Sequence, residues 1–169
     1  MRLLVLFSIA TLVALALQTT LARLLPFDLV IPNLVLILAV DLGLRHHGTV
    51  AAAAMAFAMG YASDAFSGSQ IGLNAFMLTL IFVLSYRISS ALISNGATIG
   101  TVLVFFGVLL QDVGSYVIGS GWSLPPHLLA LIPQMLLQAA ITALLTPSVF
   151  TLMGGAARRA GLRRSIARE

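Results

Sequence analysis

Hydrophobic positions in this chain do not alternate with polar ones at a strand or surface-helix period. They come in long runs separated by short polar clusters. A helix that crosses a bilayer needs about 20 apolar residues, each rising about 1.5 Å, and the runs are read on that scale. The first, residues 3–22, lies between Arg2 and Arg23. The second, 29–44, opens at Pro32 and contains Asp41; a proline there is tolerated because the first helical turn has no use for its missing N–H. The third, 48–66, is rich in Ala, Met and Gly, and the fourth, 72–86, ends at Arg87. The fifth, 97–118, carries Asp112. The sixth, 127–153, holds Pro133 and Pro147 and is expected to kink or break near Pro147. Six spanning helices follow.

The arginines test that count independently. Loops on the cytoplasmic side are enriched in Lys and Arg. Six spans with an inner N-terminus place Arg2, Arg45, Arg87, Arg158, Arg159, Arg163, Arg164 and Arg168 inside and Arg23 alone outside. Both ends are therefore expected in the cytoplasm, with a transmembrane domain over 1–153 and a basic tail over 154–169. Arg2, the first apolar run and Thr20-Leu21-Ala22 also fit a secretory signal, but the run is longer than a signal core. Trp122, among Gly, Ser and Pro, fits an interfacial anchor in the last outer loop.

Composition sharpens the class. The 169 residues are 60% hydrophobic and 8% charged, against about 45–50% and 25% in soluble domains. There are too few polar groups to cover a water-exposed surface. Cysteine is absent, which excludes disulfides and Cys-based metal sites. The net charge of +4 comes with arginines that punctuate apolar runs, the pattern of membrane orientation next to anionic lipid and not of a nucleic-acid groove.

Ionisable groups at membrane depth are costly, which makes them functional candidates. Asp41 lies four residues before Arg45, so one helix can pair them. Asp112 must face a partner or a wet cavity, as structural glue or as a ligand contact. Asp64 stands near a helix C-terminus, where it opposes the helix dipole. Ser67, Ser69 and the backbone of a turn containing Gly68 and Gly72 are the expected donors to it, with a docking or ligand site as the functional reading. Ala52, Ala56 and Gly60, four apart, permit close helix approach within the bundle, as do Gly96 and Gly100. No metal, nucleotide-phosphate or nucleophile motif appears. His127 and the His46-His47 pair lack supporting context, so neither a cofactor nor catalysis is expected.

The stretch Ile31-Pro32-Asn33-Leu34-Val35-Leu36-Ile37-Leu38 resembles the opening of the second helix in the rod shape-determining protein MreD family. Gly60-Tyr61-Ala62-Ser63-Asp64-Ala65-Phe66-Ser67-Gly68-Ser69-Gln70-Ile71-Gly72-Leu73-Asn74-Ala75 is similar to that family's central motif, and Leu17-Gln18 and the basic tail also fit. Asp41 and the doubled histidine have no counterpart in the pattern. The resemblance implies a non-catalytic inner-membrane scaffold of the bacterial elongation machinery that builds lateral peptidoglycan. Its implied partners are the single-pass protein MreC, the glycosyltransferase RodA, a penicillin-binding transpeptidase and the actin-like MreB, within the lipid bilayer and without nucleic acid. It implies a fold like the substrate-binding subunits of energy-coupling-factor vitamin transporters, and from that the alternative of small-molecule capture in a pocket near Tyr116, Asp112 and Trp122. The residues singled out for structure or interaction are Pro32, Asn33, Asp64, Ser67, Gly68, Gly72, Asn74 and Asp112.

Overall fold

A computed structural model describes residues 2–24, 31–45, 50–67, 71–91, 96–119 and 128–159. They form α1 (Arg2–Leu24), α2 (Leu34–Arg45), α3 (Val50–Ser67), α4 (Leu73–Ala91), α5 (Gly96–Gly119) and α6 (Leu128–Arg159), with no strand among them. Two helices contain stretches long and apolar enough to cross a membrane, Ala97–Ile118 and Leu131–Arg159, and Val5–Leu21 and Leu73–Ser89 are shorter apolar segments.

The helix contacts define a hub and a ring. Each of α1, α3, α4, α5 and α6 touches α2, and the five touch one another in the order α1–α3–α4–α5–α6 and back to α1. Sequence explains the hub. Residues 34–45 are apolar around the whole circumference, and a helix hydrophobic on every side belongs in an interior. Val35 through Gly43 are all buried accordingly, even Asp41. The ring helices keep one face inward and turn large apolar groups outward, among them Leu12, Val13, Phe57, Phe106, Leu144 and Leu152. Apolar exposure this extensive suits a protein surrounded by lipid.

Small residues set the closest approaches. Ala52, Ala56 and Gly60 are buried on α3. A Cβ built on Gly60 would lie 2.4 Å from the Ala75 Cα, so α3 and α4 are in backbone contact there. On α5, Gly100 lies beneath the Phe150 ring of α6. The four-residue spacing thus serves packing within the chain.

Two boundaries differ from the sequence expectation. The helix expected over 29–44 begins only at Leu34, leaving Pro32 before the cap, and its 12 residues extend about 18 Å, short of the roughly 30 Å hydrocarbon core. The sixth helix does not break at Pro147; it runs unbroken from Leu128 to Arg159, five residues beyond Gly154, and so includes Arg158 and Arg159. Tight packing of Thr142, Ala143 and Thr146 against the bundle supports the turn that lacks the proline N–H.

Candidate functional site, a hydrogen-bond relay between helix caps

Val35 and Leu36, in the first turn of α2, are buried, and a buried helix start needs protein partners for its first N–H groups. Residues 31–33 meet that demand. Asn33 Oδ1 accepts the Leu36 N–H at 3.1 Å, an N-cap bond to the third helical residue. The Asn33 N–H donates to Thr142 Oγ1 of α6 at 3.2 Å. Gln18 of α1 donates through Nε2 to the Pro32 carbonyl at 2.9 Å.

The second cap is supplied from another helix. Gly72 precedes α4, and its φ of 98° is open to glycine and strained for other residues. Its carbonyl accepts the Phe76 N–H at 2.9 Å, which makes it the cap position of α4. The side-chain oxygen that a serine or aspartate would provide there comes from Asp64, at the end of α3. Asp64 Oδ2 accepts the N–H of Gly72 at 2.8 Å and of Ala75 at 3.3 Å, and Oδ1 accepts that of Asn74 at 3.2 Å. The carboxylate is therefore unfavourably placed on its own helix but sits at the positive end of α4, which resolves the dipole conflict posed by the sequence. Asp64 is 1% exposed. Of the donors expected from the sequence, Gly72 contributes. Ser67 Oγ lies 3.5 Å from the Asp64 main-chain carbonyl, at the limit of hydrogen bonding. Gly68 and Ser69 lie outside the described residues.

One side chain joins the caps. The Asn33 amide uses its oxygen on Leu36, so its NH2 points away and donates to Gln111 Oε1 of α5 at 3.0 Å. That fixes the Gln111 amide, whose Nε2 donates to Asn74 Oδ1 at 2.7 Å. The relay runs from Asn33 through Gln111 to Asn74, and Gln18, Thr142 and Asp64 extend it. All six helices enter one polar network, which lies near the starts of α2 and α4 and the ends of α1 and α3 and reaches α6 near its middle at Thr142.

Other ionisable groups lie apart from it. Arg45 Nε donates to Asp41 Oδ1 at 2.7 Å and Arg45 Nη2 to the Phe150 carbonyl at 3.0 Å, fastening α2 to α6 at the opposite end. Asp112 is adjacent to Gln111 in sequence but takes no part in the relay; its Oδ2 is buried without a hydrogen-bond partner among the described residues. Arg158 and Arg159 are exposed at the end of α6, while Arg163, Arg164 and Arg168 lie outside the described residues, as does Trp122.

Sequence reasoning passed over Gln111 and Thr142 as relay members. The available signal was an uncharged amide or hydroxyl inside an otherwise apolar run, which across membrane helices finds a partner. Chemically the relay holds amides, a hydroxyl and a carboxylate that accepts three main-chain N–H groups among the described residues, with no activated nucleophile or base among the described members. No cluster of His, Asp or Glu suited to a metal occurs among the described residues. Such a network fixes helix ends and shapes a surface.

Residues 1–155 match the family model described as rod shape-determining protein MreD. Neither the curated proteins nor the solved structures include a significant match to the chain.

Proposed function

Because the chain belongs to the MreD family, whose role is in rod-shape determination, we propose that it is a non-catalytic inner-membrane scaffold of the elongation machinery. Its partner would be an MreC-like single-pass protein, with RodA, a penicillin-binding transpeptidase and MreB in the same assembly. The observation that carries this reading is the relay. It locks six helices into one arrangement, as a docking platform requires. In this reading Pro32, Asn33, Asp64, Ser67, Gly68, Gly72 and Asn74 shape the outer face, Asp112 adds a polar contact in α5, and the five tail arginines hold the inner one. Each arginine contributes about 1 kcal/mol near anionic lipid.

The topology belongs to the same proposal: the transmembrane domain over 1–153, the basic tail after it, and both termini in the cytoplasm. Single cysteines placed in this cysteine-free chain at His46 and Asn95 should resist membrane-impermeant reagents applied from outside; labelling there would overturn the topology. A bundle of the energy-coupling-factor type remains part of the proposal for the fold. Nothing observed favours substrate capture: the groove between α4 and α5 is apolar and includes neither Tyr116 nor Asp112. Solubilisation from native membranes with partner identification tests the function. Recovery of an MreC-like protein is expected; recovery of a transporter's energising subunits in its place would overturn the scaffold reading.

A further inference from the structure

A side-chain amide inside an apolar helix needs both a donor and an acceptor, and hydrocarbon supplies neither. Gln18 and Gln111 find theirs on other segments of the bundle. Gln134 and Gln138 of α6 do not: among the described residues neither side chain has a hydrogen-bond partner. Gln134 is exposed and Gln138 half-buried, and Gln138 lies about 10 Å inside the apolar segment Leu131–Arg159. Ser148 is exposed as well, and its hydroxyl has no partner among the described residues. The hydroxyls of Thr142 and Thr146, on the inward side of the same helix, are both engaged.

These polar groups fall in one line. Gln134, Gln138, Ile141, Leu145, Ser148 and Leu152 follow one another at alternating steps of four and three residues, the repeat of a seam that packs against a second helix. The line extends about 27 Å, close to the roughly 30 Å of a hydrocarbon core. Leu145 and Leu152 are 36% and 72% exposed. No described helix closes over the seam. Phe150, which meets Gly100 of α5, stands about 120° round the helix from Gln138. On the other flank, α1 touches α6 more loosely than any other pair of neighbours in the ring.

The chemistry of the seam selects its occupant. No charged side chain occurs in α6 before Arg158, so the seam can meet its own image without repulsion. An amide or a hydroxyl is donor and acceptor at once and pairs with a copy of itself. Copies inserted in one orientation bring α6 beside α6 in parallel about a twofold axis, where each seam residue faces its own counterpart. Gln138 then meets the second copy's Gln138, and Ser148 the second copy's Ser148. Polar pairs of this kind fix register and join helices in membranes. We propose that the Gln134–Leu152 seam of α6 is a homodimer interface, in which a second copy supplies the partners that these amides lack in the single chain.

Single cysteines in this cysteine-free chain test the interface in native membranes. Leu145→Cys and Leu152→Cys should each cross-link to their own copy on mild oxidation. Leu136→Cys, exposed but about 180° round the helix from Leu145, should not. Energy transfer between differently labelled full chains, diluted stepwise in liposomes, then measures the affinity. Gln138→Leu should weaken the dimer about tenfold, the equivalent of about 1.4 kcal/mol, within the range of hydrogen bonds between membrane helices. Gln138 has no partner within the described residues, so melting of the single chain in dilute micelles should not change, and the loss reads association alone. Absence of cross-linking at 145 and 152, equal cross-linking at 136, or a dimer indifferent to Gln138→Leu would overturn the proposal. Cross-linking of Leu145→Cys to a different, single-pass protein in place of its own copy would assign the seam to a foreign helix and contradict it equally. Neither readout follows cell shape, so failure here leaves the scaffold proposal standing, and failure there leaves this one.

Discussion

Replacing Gln111 by Leu removes the side chain that, among the described residues, bridges the two helix caps while keeping volume and helix propensity nearly constant. Two hydrogen bonds disappear, the 3.0 Å bond from Asn33 and the 2.7 Å bond to Asn74. Between membrane helices such bonds contribute about 0.6–2 kcal/mol each. Their former partners, Asn33 Nδ2 and Asn74 Oδ1, are then stranded, at about 1–3 kcal/mol each where burial is complete. Both residues are only part-buried, and Leu at position 111 gains apolar contact, so the low end applies. The expected loss is about 2–4 kcal/mol, a large share of the roughly 5–15 kcal/mol that holds a typical protein together. Equilibrium unfolding in mixed micelles, titrated with a denaturing detergent, measures it. Gln134→Leu on the exposed side of α6 is the matched control and should cost nothing. A loss below about 0.5 kcal/mol for Gln111→Leu, within the range of ordinary surface substitutions, would refute the relay as a stabilising element.

In the same assay Asp64→Leu should destabilise more than Asp64→Asn, because leucine strands the N–H groups of Gly72, Asn74 and Ala75 at about 1–3 kcal/mol each if they stay buried, whereas asparagine keeps one acceptor. Gly60→Ala should cost about 1–3 kcal/mol by forcing α3 off the Ala75 backbone; Gly155→Ala, which meets open space inside α6, should cost nothing and gain up to about 1 kcal/mol of helix propensity. Arg45→Met leaves the 1%-exposed Asp41 without its guanidinium and should cost about 3–5 kcal/mol, most of it recovered by the double variant Asp41→Leu/Arg45→Met. Equal melting of the single and double variants would contradict that reasoning.

Much of the fold was legible because run length reports helices: the six apolar runs correspond to the six helices among the described residues. The Asp41–Arg45 pair was legible because four-residue spacing on one helix is local information. The hub role of α2 was present in its all-round apolar sequence but was hidden by reading the run as a full-length span. Asp64 was identifiable as an anomaly at the end of α3, and the turn residue Gly72 is one of its donors as expected, but Asn74 and Ala75, in the first turn of α4, were not foreseen. A side chain that caps a different helix leaves no fixed spacing in sequence. Gln111 and Thr142 were hidden for the same reason. Their partner Asn33 is 78 and 109 residues away, and only the ring of helices around α2 brings them together.

In the proposed function, the capped, relay-locked part of the bundle is the working part of a rod-shape scaffold. Cell width and rod shape, measured in a depletion strain that expresses Asp64→Leu at matched membrane level, test it most directly. Rounded, widened cells despite normal insertion are the predicted result. Normal rods supported by Asp64→Leu would contradict the claim.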